Sequence, residues 1–461
     1  MENGLSPRKR DCPFQPIEEQ ARILVINAGS SSVKFALFRF DTLEPEARGL
    51  LDLTAGEGPL PGDCPDFRGG EDIPNGERSC AAKMGLSPSA RPERTAGESR
   101  AALTLRPSAG EALTRRLDVP GYHAAVVAAL RVLEEVGLCS RQRPVRVVGH
   151  RLIHGGEAIR RPVRIDPEVK QVIRQYTHLA PLHIPAGLEA IAATEEAFPH
   201  APQVGLFDTA FFAHVPPAAY MYPLPYEWYE QWGIRRYGFH GTSHAYCTER
   251  AAEMLGRPAE ELRLVICHLG HGSSATAVDA GVAVTNTMGF TPLEGFMMGT
   301  RCGTVDPGIL LHVMREKGLP VEQLDETLHK RSGLLGVSGL SADFRELEQA
   351  AAAGHSRARL ALDVYTHRVK ATIGSLVAVL GGLDALVFTG GIGENSHRLR
   401  GEACAGLGCL GIALDPQRNL QLRPDADLAA SGSPARVLAI HTREDYMIAR
   451  EAKRLAAGAR G

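Results

Sequence analysis

One pattern occurs twice in this chain. Residues Ile23–Phe38, ILVINAGSSSVKFALF, run as an apolar strand, a turn of small residues and a second strand. Leu264–Val278, LVICHLGHGSSATAV, repeats that order in the second half. A strand, a turn of Gly and Ser and a returning strand form a hairpin whose tip exposes backbone N–H groups. Two halves that open on the same hairpin predict a duplicated α/β fold, with a central cleft that receives both turns.

The residues around the echo agree with that class. Ile23–Asn27, Val145–His150, Val204–Phe207, Leu264–Leu269, Ala385–Thr389 and Val437–Ile440 are short apolar runs of strand length. Tyr122–Val136 is predicted as a helix capped by Gly137, Leu360–Leu380 as one stopped by Gly381-Gly382, and Glu444–Leu455 as one entered from Thr442. The chain has 461 residues, and at ~150 residues per domain that length suits two or three domains. Residues 1–20 read as a loose arm. A domain boundary is placed near Ala210, giving a first domain at 21–210 and a second at 211–441. The stretch from about Ala55 to Gly110 is rich in Gly, Pro, Ser, Arg and Glu, and reads as a mostly irregular insertion.

Composition excludes several classes. Lys+Arg 51 against Asp+Glu 53 gives a formal charge of -2, so no global basic field attracts nucleic acid. No apolar run reaches the ~18 residues of a membrane span, and Met1–Gln20 lacks the apolar core of a signal peptide. The nine cysteines show no CxxC pair or zinc spacing, as expected of reduced thiols in a cytoplasm.

Three glycine turns carry the phosphate chemistry. The first offers Gly29, Ser30, Ser31 and Ser32 with the charge of Lys34; the second offers Gly270, Gly272, Ser273 and Ser274. Gly270-x-Gly272-x-x-Ala275 resembles a dinucleotide fingerprint, but strand-like alternation follows it where that fingerprint must open a helix. A GxxxxGK[ST] loop is absent. The third turn, Thr389–Asn395 (TGGIGEN), follows a buried strand and precedes helix-compatible residues, which suits a ribose or phosphate. Polar constellations at Gly149–Gly156, Leu182-His183, Phe207–Thr209, Arg236–His244 and Met298–Gly303 lie at strand ends or in loops. His240 and His244 are spaced i,i+4, yet no third ligand accompanies them, which argues against zinc.

Taken in order, these motifs resemble the acetokinase family, the acetate kinases of the sugar kinase–Hsp70–actin superfamily. The resemblance runs over Arg22–Phe40 and about Gly110–Arg454, skipping the insertion. Its signatures are Val25–Lys34, Gly149–Arg151 with His154–Glu157, Arg236–His244, Met288–Gly295, Met298–Arg301, Asp343–Arg345, Phe388–Asn395 and Thr442–Ala449. It implies two actin-like, ribonuclease H-like domains, with 442–461 returning to the first and the nucleotide bound by the second, and reversible transfer of the ATP γ-phosphoryl group to acetate. It also implies ATP or ADP with magnesium or manganese, and a homodimer.

The resemblance also implies residue roles. Asn27 and Glu444 match the magnesium site. Arg151 and Arg301 match the arginines that hold the carboxylate and the transferring phosphoryl group, and Asp208 the acid that organises that centre. His240 matches the transition-state histidine; His183 and His268 match secondary histidines. Ser30, Ser32, Lys34, Gly270, His271, Gly272, Asp343, Phe344, Arg345, Gly391, Ile392, Gly393 and Asn395 match the phosphate and nucleotide region. Ile153, Leu182, Phe239 and Pro292 match the pocket for the acid's alkyl group. Departures are Ile184 and His271 for usual asparagines, Phe212 for a usual histidine, Cys302 for a serine and Thr304 for an aspartate. The insertion is longer than usual. The apolar pocket residues leave propionate and butyrate open as alternative acids. The duplicated turns by themselves also suit an actin- or Hsp70-like nucleotide switch.

Overall fold

The structure is a computed structural model that describes residues 20–29, 31–53, 99–181, 183–421 and 425–458. Its strands are β1 (Arg22–Ala28), β2 (Ser32–Arg39), β3 (Pro45–Asp52), β4 (Ser99–Pro107), β5 (Leu113–Val119), β6 (Val145–Leu152), β7 (Val163–Arg164), β8 (Gln203–Phe207), β9 (Arg263–Leu269), β10 (Ser273–Asp279), β11 (Val282–Asn286), β12 (Ala385–Thr389), β13 (Ala426–Asp427) and β14 (Arg436–Ala439). One sheet has the order β5-β4-β3-β2-β1-β6-β8-β7, the other β11-β10-β9-β12-β14-β13. The run β3-β2-β1-β6-β8 has the same order as β11-β10-β9-β12-β14, so the repeated hairpin is the seed of a repeated sheet. In each copy the hairpin is antiparallel, with Asn27 opposite Lys34 in the first and His268 opposite Ser274 in the second.

Period-2 alternation explains the layers of the second sheet. On β9, Val265, Cys267 and Leu269 join a core with Tyr365, Val369 and Ile373 of the helix Ser356–Leu380. Leu264 and Ile266 join Tyr246, Cys247 and Ala251 of the helix Gly241–Leu255. β12 runs parallel to both β9 and β14 and is buried along its whole length, the pattern of a strand covered on both faces. The helix Ser356–Leu380 ends as expected on Gly381, whose φ of 67° is left-handed. In the first sheet Leu24, Ile26, Phe35, Leu37, Leu103 and Leu105 share a core with the helix Gly121–Glu135.

The described residues up to His150, Ala186–Gly205 and those from Ile448 onward form one compact unit; Arg151–Pro185 and Leu206–Met447 form the other. The helix Glu444–Ala457 begins in the second and ends in the first.

The expectation of an irregular stretch through residue 110 needs correction at its C-terminal end. Ser99–Pro107 is β4, paired antiparallel with both β3 and β5. Ala101, Ala102, Leu103 and Leu105 are buried there. The run is short, and the Gly, Pro and Arg preceding it obscure its pattern; its pairing partners supply the order. Residues 54–98 of that stretch, and the arm at 1–19, lie outside the described residues.

Candidate active site

The strand ends of the second unit bring a buried ion pair together. Arg151 is the penultimate residue of β6, and Asp208 follows β8 directly. The Asp208 N–H donates to the Leu152 carbonyl at 2.9 Å, which draws the two strand ends together. Arg151 then grips Asp208 with both arms of its fork, Nε to Oδ1 at 3.1 Å and Nη2 to Oδ2 at 2.7 Å. The Asp208 side chain is 1% exposed, and Thr242 Oγ1 donates to its Oδ1 at 3.3 Å. Burial works against the Arg151 charge, but Asp208 and Glu444 more than offset it and hold the guanidinium protonated. Arg151 Nη1 also lies 3.6 Å from Glu444 Oε2.

Four histidines gather near this pair. His240 adopts a left-handed φ of 61° immediately before the helix Gly241–Leu255. The next position admits only glycine, because a Cβ at Gly241 would lie 2.0 Å from the Asp208 carbonyl oxygen. The His240 and His268 rings stack with centroids 4.3 Å apart. His240 Nδ1 and His244 Nε2 both meet Ser274 Oγ, at 2.9 and 2.8 Å. His268 Nδ1 meets Ser243 Oγ at 2.8 Å, and that hydroxyl meets Thr442 Oγ1 at 2.9 Å. Burial is the main reason that His240, His244 and His268 are held below the usual imidazole range; for His240, the neighbours His268, Arg151, His244 and Arg301 add to it. Burial, then Arg301 and Arg151, lower His183 to about 4. These imidazoles are therefore neutral at pH 7.

The second glycine turn closes against them. Gly270 N–H donates to the Gly272 carbonyl at 3.1 Å, and Ser273 Oγ donates to the Gly270 carbonyl while meeting Tyr365 Oη at 2.9 Å. A Cβ at Gly272 would sit 3.1 Å from Arg301 Nη2 and 3.3 Å from His240 Nε2. Arg301 Nη1 donates to the Pro292 carbonyl at 2.7 Å, which aims the guanidinium. Gly272→Ala should therefore push Arg301 and His240 apart. The expected result is a roughly tenfold fall in turnover, since sub-ångström displacement of positioned groups is costly in rate, with a melting temperature close to wild type. A melting temperature that falls in step with turnover would assign Gly272 to folding instead.

The third turn is a short helix, Gly390–Asn395, entered directly from β12. Gly391 has no atom within 4 Å of where a Cβ would be, so its surface is open, and Asn395 Nδ2 donates to its carbonyl at 2.9 Å. Buried Glu394 organises the underside: Oε1 accepts from the N–H groups of Gly390 at 2.9 Å and Thr442 at 3.2 Å, and Oε2 meets His441 Nδ1 at 2.6 Å. Arg400, also buried, donates to the carbonyls of Gly393 and Glu394. Asp343 caps the helix Phe344–Ala352 by accepting from the Arg345 N–H, and its carboxylate pairs with the Arg345 guanidinium.

An apolar cluster stands in the same unit. Leu179, Tyr237, Phe239, Met288 and Met298 form it, with Ile153 packed against it. His154 is fully buried there, stacked on Tyr176 at 5.1 Å and edge-on to Phe239 at 5.8 Å. Burial lowers His154 to about 3. The second unit therefore holds two guanidinium groups beside a glycine turn, an arrangement that suits anionic groups.

The family model of the acetokinases matches residues 93–450. The chain belongs to the acetokinase family. An acetate kinase of Gloeobacter violaceus is 56% identical over 308 residues, spanning 67% of this chain and 76% of the relative. The crystal structure of the Porphyromonas gingivalis acetate kinase superposes with a TM-score of 0.81 at 37% identity, covering 94% of this chain and 99% of that one. A propionate kinase from Francisella tularensis superposes at 0.79 with 33% identity, covering 94% and 100%. The expected α/β class and the shared fold hold on these likenesses.

Against this acetokinase background the expected residues fall into groups. Arg151, His183, Asp208, His240, His268, Gly270, His271, Gly272, Arg301 and Glu444 all belong to the second unit, as do Ile153, Phe239 and Pro292. Asn27, Ser32 and Lys34 lie on β1 and β2 of the first. Ser30 and Leu182 lie outside the described residues. Phe344 is buried and packs edge-on to Tyr365, so its ring belongs to the core. Ile392 packs partly against the core. A divalent cation fits one observation: Glu444 Oε1 is buried without a hydrogen-bond partner. No group of three or more His, Cys, Asp or Glu among the described residues is placed to hold a metal.

The departures have local explanations. Phe212 is buried with Val215 and Ala283 and lies edge-on to His244. Thr304 Oγ1 accepts from the Gly295 N–H at 3.1 Å, holding the loop that leads to Arg301. His271 accepts at its carbonyl from the Gly299 N–H at 3.1 Å, and Gly299 leaves room for its ring. Ile184 is buried at the start of the helix Ile184–Ala197. Cys302 is half-buried, and burial raises its thiol.

Thr242, Ser243, Ser274 and Glu394 lie inside the motifs singled out in the sequence, but their individual roles as partners of Asp208, His268, the His240–His244 pair and the third turn were not read from it. For Ser274 a signal was present: aligning the two hairpins places Val33 opposite it, so a hydroxyl stands where the echo has an apolar side chain.

Proposed function

We propose that this site transfers the γ-phosphoryl group of ATP to acetate, reversibly, yielding acetyl phosphate and ADP by direct in-line displacement. The observation that carries the reading is the pair of guanidinium groups, Arg151 locked on buried Asp208 and Arg301 held by the Pro292 carbonyl, both close enough to influence neutral His240. A carboxylic acid is ionised at pH 7, because its pKa lies near ~4. The nucleophile therefore needs no general base, and Asp208 serves by fixing Arg151. The obstacle is bringing one anion against another. Arg151 and Arg301 offset that repulsion in a desolvated site, where a fixed charge acts more strongly than in water. Neutral His240 offers a hydrogen bond without drawing in a counter-charge. Asn27 and Glu444 would hold magnesium, which when bound neutralises phosphate charge. The Gly391–Asn395 turn, Asp343 and Arg345 would receive the nucleotide, and Ile153 and Phe239 the methyl group. A homodimer in the cytoplasm completes the reading.

A second acid is favoured by one observation, the close structural likeness to a propionate kinase. Trapping acyl phosphate as the hydroxamate, with acetate, propionate and butyrate in turn, separates the cases. Acetate is expected to give the highest kcat/KM. Phe239→Ala should move preference toward the longer acids, since a methylene in an apolar pocket is worth ~1–3 kcal/mol. Slow ATP hydrolysis indifferent to any carboxylate would instead mark a nucleotide switch.

A further inference from the structure

Two imidazoles share one hydroxyl in this site. Ser274 Oγ lies 2.9 Å from His240 Nδ1 and 2.8 Å from His244 Nε2. A serine hydroxyl carries a single proton, so it donates to one ring and must accept an N–H from the other. Both rings are buried and neutral, so each carries one N–H. Only two arrangements satisfy all three groups.

In the first, Ser274 donates to His240 Nδ1 and accepts the Nε2–H of His244. His240 then carries its proton on Nε2, and His244 is left with a bare lone pair on Nδ1. In the second, Ser274 donates to His244 Nε2 and accepts the Nδ1–H of His240. His244 must then keep a proton on Nδ1. The decisive atom is that His244 Nδ1, which is buried and has no hydrogen-bond partner. His244 is 0% exposed, and the Phe212 ring lies edge-on to it with centroids 6.1 Å apart. The second arrangement buries an orphaned N–H; the first buries only an under-used acceptor, which proteins tolerate more often.

We infer that His244 and Ser274 act as positioning residues that fix His240 as the Nε2–H tautomer. The Nε2 atom then presents a neutral donor beside the second glycine turn. His240 Nε2 and Arg301 Nη2 both come within 3.1–3.3 Å of the point where a Cβ of Gly272 would be. Two donors therefore converge on one spot, where an oxygen of a phosphoryl group in transfer would accept both. The use of that donor rests on the phosphoryl-transfer reading; the tautomer itself does not. Of the two His240 nitrogens, the wrong tautomer would turn a lone pair toward the incoming oxygens, a repulsive contact.

Selective 15N labelling of histidine and long-range proton–nitrogen correlation read the tautomer directly in the nucleotide-free protein. The expected spectrum shows a protonated Nε2 and an unprotonated Nδ1 for His240, with the same tautomer for His244. A protonated Nδ1 on His240 would overturn the inference even if the protein makes acyl phosphate. Ser274→Ala removes the relay. It should lower kcat on the order of 10–100-fold, comparable to losing one preorganised donor or less, leave the nucleotide KM within about threefold, and mix the His240 tautomers. Unchanged turnover in a folded Ser274→Ala protein also overturns it. Should that variant fail to fold, the wild-type spectrum still decides. Absence of acyl phosphate from the wild type would strike only the proposed function, not the tautomer.

Discussion

Arg301→Lys is expected to lower turnover on the order of 10²–10³-fold, comparable to removing one preorganised transition-state donor, while nucleotide affinity changes far less. The guanidinium is a planar fork, and one arm is already committed: Nη1 donates to the Pro292 carbonyl at 2.7 Å. That bond fixes the plane, so Nη2 stays beside Gly272 and His240 Nε2. A lysine ammonium is a single point of charge on a flexible stem. It can serve the Pro292 carbonyl or a phosphoryl oxygen, but it cannot hold both geometries. Charge moves onto the attacking and leaving oxygens only during transfer, so the loss should appear in kcat more than in binding. Steady-state kinetics with acetate, beside a melting curve, decides the matter. Near-normal turnover, or loss only through unfolding, would show that Arg301 serves the Gly299–Gly303 loop and not the chemistry.

Acidification should destabilise this protein well above the carboxylate range. Burial lowers His154 to about 3, and burial with Arg301 and Arg151 lowers His183 to about 4; burial also holds His240 and His244 well below the usual imidazole range. An unfolded imidazole titrates near ~6.5. Between that value and the folded one, the unfolded chain binds more protons than the native state, so stability rises with pH across the window. The contribution is whole above ~6.5 and is lost as pH falls toward 4. Each such group costs roughly 1.4 kcal/mol per pH unit within the window. Several acting together rival the ~5–15 kcal/mol stability of a typical domain. Thermal melts at pH 7, 6 and 5 should show a melting temperature falling steeply below pH 6, with acid unfolding centred near pH 5. His154→Phe should reduce the slope by about one proton. A flat melting temperature from pH 7 to 5 would mean the histidines are solvated or gain protons without unfolding.

Much of the architecture was legible before any coordinates. Hydrophobic alternation is local, so Ile23–Phe38 and Leu264–Val278 announced β1–β2 and β9–β10, and the buried run Ala385–Thr389 announced β12. The glycines were legible for the same reason: the left-handed φ of Gly381 is a demand that the chain makes on itself. The family signatures supplied the roles expected of Arg151, Asp208, His240 and Arg301, and those residues do share one unit.

What the sequence determined by itself, then, was periodicity, turn chemistry and the duplicated order of elements. Tertiary structure alone decided the partnerships. Arg151 meets Asp208 across 57 positions, His240 meets Ser274 across 34, and Glu394 meets His441 across 47. Periodicity states which face a side chain occupies, but not which distant residue will stand opposite it. β4 was missed on the same account: Ser99–Pro107 becomes a strand because β3 and β5 flank it. Whether His240 presents a proton or a lone pair depends on a hydroxyl and a second ring, which only the packing of the helix Gly241–Leu255 against β10 brings within hydrogen-bond reach.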